Sequence, residues 1–394
     1  MIATRLRESL DSSICIRDIF EDGKKMADIY GWENIFNFSI GNPSVNPPAI
    51  VNESMKKILD SEDPRTLHSY PANVGYPDVR EHIAEYLNKT YDCQYDENGI
   101  AMTSGAAAAL TILCNTLLDQ GDEVVTFAPY FWEYKSYVES FYGKLVPALC
   151  NKETLQPDPV TFEAAISPRT RFVIINTPNN PTGAVYTEDS IQTVCGILER
   201  KQEQYGHPIY LVSDEPYRLL TYDIEVPYLT HYYRNTIVVY SYSKALSVPG
   251  ERIGYIAMEP CVQDMENLFS GITASIRYLG YVNAPTLQQR MLLYCADASV
   301  DIGIYKKTRD ILYAGLTEIG YTCIHPDGAF YLFVKSLMED DAAFCEAAKE
   351  ERILMAPGTA FYGPGWVRIS YCVPDETVRN ALPGFRRLFD RYHS

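Results

Sequence analysis

From Glu123 onward the chain alternates short, almost wholly apolar runs with longer amphipathic ones, and no other feature limits its fold as tightly. The apolar runs are Val124 to Phe127, Leu145 to Leu149, Phe172 to Asn176, Ile209 to Ser213, Thr236 to Tyr240 and Ile253 to Met258. Helical patterns begin at Phe131 and span Glu188 to Gln204. A strand without polar alternation must be covered on both faces, and helices placed between successive strands provide that cover for a parallel sheet. The expectation is an α/β fold with a mostly parallel sheet flanked by helices. In such sheets ligands bind at the carboxyl ends of the strands, where Asn176, Asp214 and Ser241 stand.

The flanks differ in character. Residues 12–30 carry a mixed helical pattern (Ile16, Ile19, Met26, Ile29), followed by a short strand from Ile35 to Ile40 and a loop through Gly41-Asn42-Pro43 and Val45 to Pro48. Helices are expected over Asn52 to Leu59 and Tyr76 to Lys89. Beyond Glu259 they are expected over Cys261 to Ile276, Ala284 to Ala298, Ser299 to Ile319, Asp340 to Glu350 and from Asp375 onward. Short strands are expected at Tyr321 to His325, Phe330 to Val334 and Val367 to Tyr371, and Asn151 to Pro159 reads as a surface excursion. The uncharged stretch Ile100 to Leu118 is long enough to suggest a membrane span, but Thr103, Ser104, Gly105, Thr111, Asn115 and Thr116 favour a buried helix.

Composition excludes several functions. A net charge of −17 over 394 residues, with no basic stripe, argues against nucleic acid as a partner. The ten cysteines include no C-x-x-C pair, and the six histidines form no H-E-x-x-H or Cys/His cluster, so neither a metal site nor a disulfide framework is expected. Charges in MIATRLRESLDSS occupy the place of a signal peptide's apolar core, and a cytoplasmic location is expected.

The chemistry gathers in four short motifs. Ser241 to Gly254 reads SYSKALSVPGERIG, so Lys244 lies between two apolar runs, where burial would disfavour its charged form. A surface lysine is the alternative. Thr103-Ser104-Gly105 opens an alanine-rich helix, a natural anion site or simply an N-cap. Asp214-Glu215-Pro216-Tyr217 ends an apolar strand with a carboxylate that is either a cap or the partner of a cation. Asn180-Pro181-Thr182-Gly183 and Val367-Arg368-Ile369-Ser370 complete the set.

In this order and spacing the motifs resemble the class I/II pyridoxal-phosphate aminotransferases, over nearly the whole chain. The resemblance implies fold type I: a seven-stranded, mostly parallel sheet in a large domain at 46–304, and a smaller α+β domain formed by 305–394 with an N-terminal arm at 1–45. It implies an aminotransferase that exchanges an amino group between an L-amino acid and a 2-oxo acid by a ping-pong route through a Lys244 Schiff base. Lys244, Asp214 and Tyr217 take the catalytic roles. Pyridoxal phosphate is held by Gly105, Ala106, Ser241, Ser243 and Arg252 at its phosphate and Phe131 on its ring. Asp214 pairs with the ring nitrogen, and Asn180 and Tyr217 with the phenolic oxygen. Tyr70 reaches the neighbouring subunit's cofactor, so a homodimer with shared active sites is implied. Arg368, with Gly41 and Asn180, binds substrate. Ala107 stands where some aspartate-preferring members have lysine, and Arg17 or Arg277 would have to supply any second cation. Trp132 follows Phe131 at the stacking position. Two other readings share the scaffold: a carbon–sulfur β-lyase, which would release pyruvate from cystathionine without an oxo acid, and a non-catalytic ligand-sensing regulator domain, which would carry an added basic segment.

Overall fold

The structure is a computed structural model that describes Ile2, Ile19 and residues 21–393; Ile16 and Arg17 lie outside the described residues. A short strand β1 (Phe36–Asn37) precedes β2 (Ile100–Thr103), β3 (Glu123–Ala128), β4 (Lys144–Leu149), β5 (Thr170–Asn176), β6 (Tyr210–Asp214), β7 (Thr236–Ser241) and β8 (Gly254–Met258). Strands β2 to β8 form one seven-stranded sheet in the order β2-β8-β7-β6-β5-β3-β4, as expected. Strand β8 runs antiparallel to both neighbours, β7 and β2, and every other pairing is parallel. All residues of β6, β7 and β8 are buried, which is why their sequences show no polar alternation. Strand β4 lies at the edge, where exposed Lys144 and Pro147 are tolerated.

Side chains alternate between the two faces of the sheet. Ile174, Val212, Val239 and Ile256 pack on one side with Ile112 and Leu113 of the helix Ala106–Leu117 and Leu268 and Ile272 of Met265–Tyr278. Val173 and Leu211 pack on the other with Ile191, Val194 and Leu198 of Glu188–Tyr205.

The apolar stretch Ile100 to Leu118 is not one buried helix: its first four residues are β2, Ser104 and Gly105 form the turn, and the helix expected after Thr103-Ser104-Gly105 occupies Ala106–Leu117. Gly105 takes φ 85°, a conformation glycine reaches without steric cost. A short, fully buried apolar strand has no periodicity to separate it from a buried helix, and here it supplies the seventh strand. No helix among the described residues is long and apolar enough to cross a membrane.

The remaining strands are β9 (Cys323–Ile324), β10 (Tyr331–Lys335), β11 (Ile353–Leu354), β12 (Ala356–Pro357) and β13 (Trp366–Ser370). Strands β12-β13-β10-β9 form an antiparallel sheet, and β1 pairs in parallel with β11. The segment after β1 also joins this unit, since Phe38 N–H donates to the Leu354 carbonyl at 2.9 Å and Ser370 N–H to the Phe38 carbonyl at 2.8 Å. The excursion after Asn151 ends at Asp158, which caps a helix, Pro159–Ala165, that the sequence reading lacks.

The ends of β5, β6 and β7 bring Asn176, Asp214 and Ser241 side by side, with Asn176 in register with Asp214. Gly254 pairs with Ser241 at the start of β8. A Cβ there would lie 2.2 Å from the Tyr240 carbonyl oxygen and 3.1 Å from the Gly105 Cα, so only glycine lets the three segments meet. Gly254→Ala should therefore cost about 3 kcal/mol of stability through overpacking against backbone. Urea denaturation checks this, and a midpoint unchanged from the parent protein would mean that the strands part easily.

Candidate active site

A cavity of about 320 Å³ opens at these strand ends. Asp214 is buried in its wall: Oδ2 accepts a hydrogen bond from the Tyr134 hydroxyl, while Oδ1 is enclosed and has no partner. Burial pushes the carboxyl up to about 7; the Tyr134 bond opposes the rise and the neighbouring Glu215 charge adds to it. Asn176 fixes the surrounding backbone, its amide donating to the Asp214 carbonyl at 2.9 Å and its Oδ1 accepting from Asn180 N–H at 2.7 Å. The Tyr217 hydroxyl shares a 2.9 Å hydrogen bond with Tyr331, and burial holds it well above the usual phenol range.

Lys244 lies on the single helical turn Tyr242–Ala245, capped by Ser241, whose hydroxyl accepts from Ser243 N–H at 3.3 Å. Its Nζ donates to the Gly41 carbonyl at 2.7 Å and stands 5.4 Å from the centre of the Phe330 ring. Burial lowers the amine to about 8, with Cys372 opposing the shift and Arg368 and Arg252 reinforcing it. About a tenth of the amine is therefore neutral at pH 7, far more than for an ordinary lysine, as a nucleophilic or basic lysine requires.

Donors gather at one end of the cavity. Gly105 opens the helix Ala106–Leu117 without a side-chain cap, so its first N–H groups point toward the space lined by Ala106, Ser241, Ser243 and Arg252. The Ser241 and Ser243 hydroxyls are 2.9 Å apart. Arg252 is steered by bonds to the carbonyls of Ser104 at 3.1 Å and Pro249 at 3.0 Å. A Cβ on Gly105 would lie 2.8 Å from Arg252 Nη2, a contact the flexible arginine could relieve, but the φ of 85° itself favours glycine.

Arg368 supplies the second cation from β13. It is buried, with Nη1 on Asn180 Oδ1 at 3.0 Å and Nη2 on the Ser39 carbonyl at 2.6 Å; its Nε has no partner. The Tyr331 and Phe361 ring centres lie 4.6 and 4.4 Å from the guanidinium carbon. Burial disfavours its charge, but a guanidinium keeps its proton at working pH, and its unused donors, Nε among them, suit a carboxylate.

Lys244, Asp214, Tyr217, Asn180, Ala106, Phe131, Ser241, Ser243, Arg252, Gly41 and Arg368 all line this one cavity, and Gly105 packs on Arg252 beside it. Ala107 and Trp132 line it as well. Tyr70 does not: it is 86% exposed. Arg277 is exposed near the end of its helix, away from the cavity, and Arg17 is outside the described residues. Tyr130, next to Phe131 in sequence, is buried against Tyr362, with ring centres 4.6 Å apart. Tyr134 and Tyr331 join Tyr217 at the site, through Asp214 and through Tyr217 and Arg368 respectively. Neither they nor Asn176 and the Ser39 carbonyl stood in a motif, although Tyr134 is only three residues past Phe131. Among the described residues no group of three or more His, Cys, Asp or Glu side chains is placed to hold a metal.

Comparison with known proteins agrees with this geometry. The family model for aminotransferase class I and II matches residues 33–385. An amino transferase of Eubacterium rectale has a crystal structure that aligns with a TM-score of 0.97 and 46% identity, covering 100% of both chains. The aspartate/prephenate aminotransferase of Thermus thermophilus is 31% identical over 89% of this chain and 90% of its own. A single mutant of Thermus thermophilus aspartate aminotransferase aligns with a TM-score of 0.88 and 26% identity, over 98% and 99% of the two chains.

In the ligand-free protein, trace acetylation followed by peptide mapping should show the Lys244 amine becoming half-reactive near pH 8. Surface lysines should follow roughly two units higher. A Lys244 that titrates with the surface lysines would mean the cavity is wet enough to solvate its charge.

Proposed function

The chain belongs to the aminotransferase class I and II family, and from that premise we propose that it moves an amino group between an L-amino acid and a 2-oxo acid, binding the two in turn at the Lys244 cavity. The observation that carries this reading is the meeting, in one cavity, of a desolvated lysine with a buried carboxyl oxygen and a buried guanidinium nitrogen that each lack a partner. Members of this family generally use pyridoxal phosphate, and the residues present fit it. Asp214 Oδ1 is the partner for a protonated ring nitrogen. Asn180 and Tyr217 suit the phenolic oxygen, Gly105, Ala106, Ser241, Ser243 and Arg252 the phosphate, and Phe131 the ring face. When bound, the group supplies an electron-accepting ring for the charge left at the substrate Cα.

The chain's own residues do the rest. Arg368 binds the α-carboxylate through its open donors, and Asn180 and the Ser39 carbonyl hold its fork in place. Lys244 Nζ, once the substrate amine has taken its place, is the base that takes the Cα proton and returns it. Buried Tyr331 and Phe361 keep water from the guanidinium. Beyond Lys244, Arg252 and Arg368, no lysine or arginine among the described residues lines the cavity, and Ala107, Phe131 and Trp132 suit a neutral or aromatic side chain as readily as an acidic one. The division into a large unit at 46–304 and a smaller one of 1–45 with 305–394 belongs to the same proposal.

The decisive test is amino transfer from a donor panel of Ala, Asp, Glu, Phe and Met to 2-oxo acids. Stoichiometric transfer is expected; ammonia as the main product without an acceptor would point to elimination instead. Arg368→Ala should lower kcat/KM by roughly 2–5 kcal/mol for amino acids and leave slow turnover of carboxylate-free amines little changed. Asp should exceed Ala and Phe by less than about 100-fold in kcat/KM; a larger gap, above about 2.7 kcal/mol, requires a charge pair not assigned here.

A homodimer with composite sites is the second part of the proposal, supported by a tyrosine, Tyr70, that is 86% exposed in the single chain. Mixing inactive Lys244→Ala and Tyr70→Phe proteins should restore activity through hybrid dimers. Verified subunit exchange without restoration counts against a shared site.

A further inference from the structure

The turn that ends β6 has two sides, and only one of them faces the cavity. Asp214, Pro216 and Tyr217 line the cavity wall. Ser213, Glu215 and Arg218 turn away from it and build a closed polar network behind the sheet. Arg218 and Glu215 have side-chain exposures of only 4% and 1%. Arg218 Nε donates to Glu215 Oε2 and its Nη2 to Oε1 at 2.6 Å, while the Ser213 hydroxyl donates to Oε1 at 2.6 Å. The remaining guanidinium donors reach the carbonyls of Val226 and Pro227, both at 3.1 Å. The Tyr91 and Tyr228 rings, 4.3 Å apart, lie 5.4 and 4.8 Å from its carbon.

Such a pair does not explain itself as a stability device. A buried ion pair can often be replaced by apolar residues of similar size at no cost, whereas removing one partner alone strands a charge. Its position is more informative. Glu215 is the residue next to Asp214, its N–H is tied to the Val239 carbonyl at 2.8 Å, and Arg218 N–H closes the turn on the Glu215 carbonyl at 3.2 Å. Backbone bonds of Glu215 and Arg218 thus bracket the turn that aims Asp214 and Tyr217, and their side-chain pair closes it from behind. The titratable groups facing the pair are Tyr86, Tyr91, Tyr95, Tyr228, Tyr240 and Tyr255, with Cys93 beyond them. Burial raises every one of these, Cys93 to about 11, so all are neutral at working pH. On the cavity side Asp214 meets Tyr134, and Tyr217 meets Tyr331 and Arg368. Arg218 is the cation bonded to Glu215.

We propose that Glu215 and Arg218 are positioning residues for the transamination site, a buried ion pair behind the sheet that holds Asp214 and Tyr217 in place and in which Arg218 opposes the Glu215 charge that Asp214 feels. The inference rests on the aminotransferase reading. Its sharpest consequence is electrostatic, because arginine cannot lose its proton to escape an unpaired state.

The test is a spectroscopic pH titration of the visible absorption band of the pyridoxal-phosphate holoenzyme. E215Q keeps a hydrogen-bonding side chain but leaves the Arg218 charge unneutralised, and should move the midpoint downward by roughly one pH unit. E215D keeps the charge and should keep the wild-type midpoint. E215Q/R218M removes both charges and should return the midpoint to within about 0.3 unit of wild type, a compensation that a purely structural role would not produce. An E215Q midpoint that does not move, or a double variant displaced as far as the single one, overturns the inference. Should E215Q fail to fold, R218Q takes its place, with the midpoint expected to move upward and an unmoved one overturning the inference. A wild-type protein that shows no cofactor band defeats the aminotransferase reading instead, so the two failures are distinct.

Discussion

A carboxyl group buried at the end of an apolar strand, with one oxygen unpartnered, is the interaction on which the rest of this site depends. An isolated polar atom in that position costs on the order of 1–3 kcal/mol, and more if charged. Asp214 answers part of that cost through Tyr134 and raises its own proton affinity for the remainder. Only a donor entering from the cavity satisfies Oδ1 completely. The strands, the Asn176 bridges and the turn beyond Glu215 hold the carboxyl still, so the penalty cannot be relieved by the side chain swinging into solvent. A strand end that is uncomfortable when empty is well matched to a cationic ring nitrogen, and this is why the fold and the chemistry have to be explained together.

Close backbone approach is the second constraint. Gly105 and Gly254 lie at adjoining strand ends: a Cβ on Gly254 would meet backbone, and Gly105 holds a φ of 85° that favours glycine. Their contact lets Arg252 reach across to the Ser104 carbonyl, placing a guanidinium next to the uncapped start of the helix Ala106–Leu117. Two donor systems of different origin, a helix terminus and an arginine fork, therefore converge without any flexible segment having to order itself on binding. Preorganisation of this kind removes an entropic cost that a looser anion site would meet at every binding event.

Much of this was legible in the chain. The fully apolar strands of the central sheet could be read because burial on both faces leaves a compositional mark, and the carboxyl ends of β5, β6 and β7 followed from them. The same property hid β2: inside an apolar stretch that continues into a helix, a four-residue strand has no period of its own. Strands β11 and β12, two residues each, are shorter than any pattern can register. At the site, residues that act through side chains in compact motifs were visible. The Ser39 carbonyl was not, because a backbone acceptor leaves no trace in residue identity, and Tyr331 was not, because its partners Tyr217 and Arg368 come together only through tertiary packing. Tyr130 and Tyr134 show the limit from the other side. Both are buried, but only Tyr134 reaches Asp214, and four residues of separation in a turn entering a helix do not reveal which ring points inward.

The two cavity arginines are held in different ways, and the difference bears on what each can do. Arg252 keeps its backbone ties at the rim, where its charge is shared with solvent and adds to a cradle of neutral N–H and hydroxyl donors. Arg368 is enclosed between two aromatic rings, with an amide oxygen and a carbonyl as its acceptors and no carboxylate bonded to it. A buried cation whose partners are all neutral is electrostatically incomplete, so an incoming carboxylate gains both the hydrogen bonds and the unspent charge interaction. That same unbalanced charge helps depress the Lys244 amine toward 8, alongside burial as the larger cause. Docking of a carboxylate on Arg368 would cancel that contribution and raise the proton affinity of the neighbouring amine. In the proposed reaction Arg368 and Lys244 are therefore linked through space: a carboxylate docked on the guanidinium would make the lysine more willing to accept a proton.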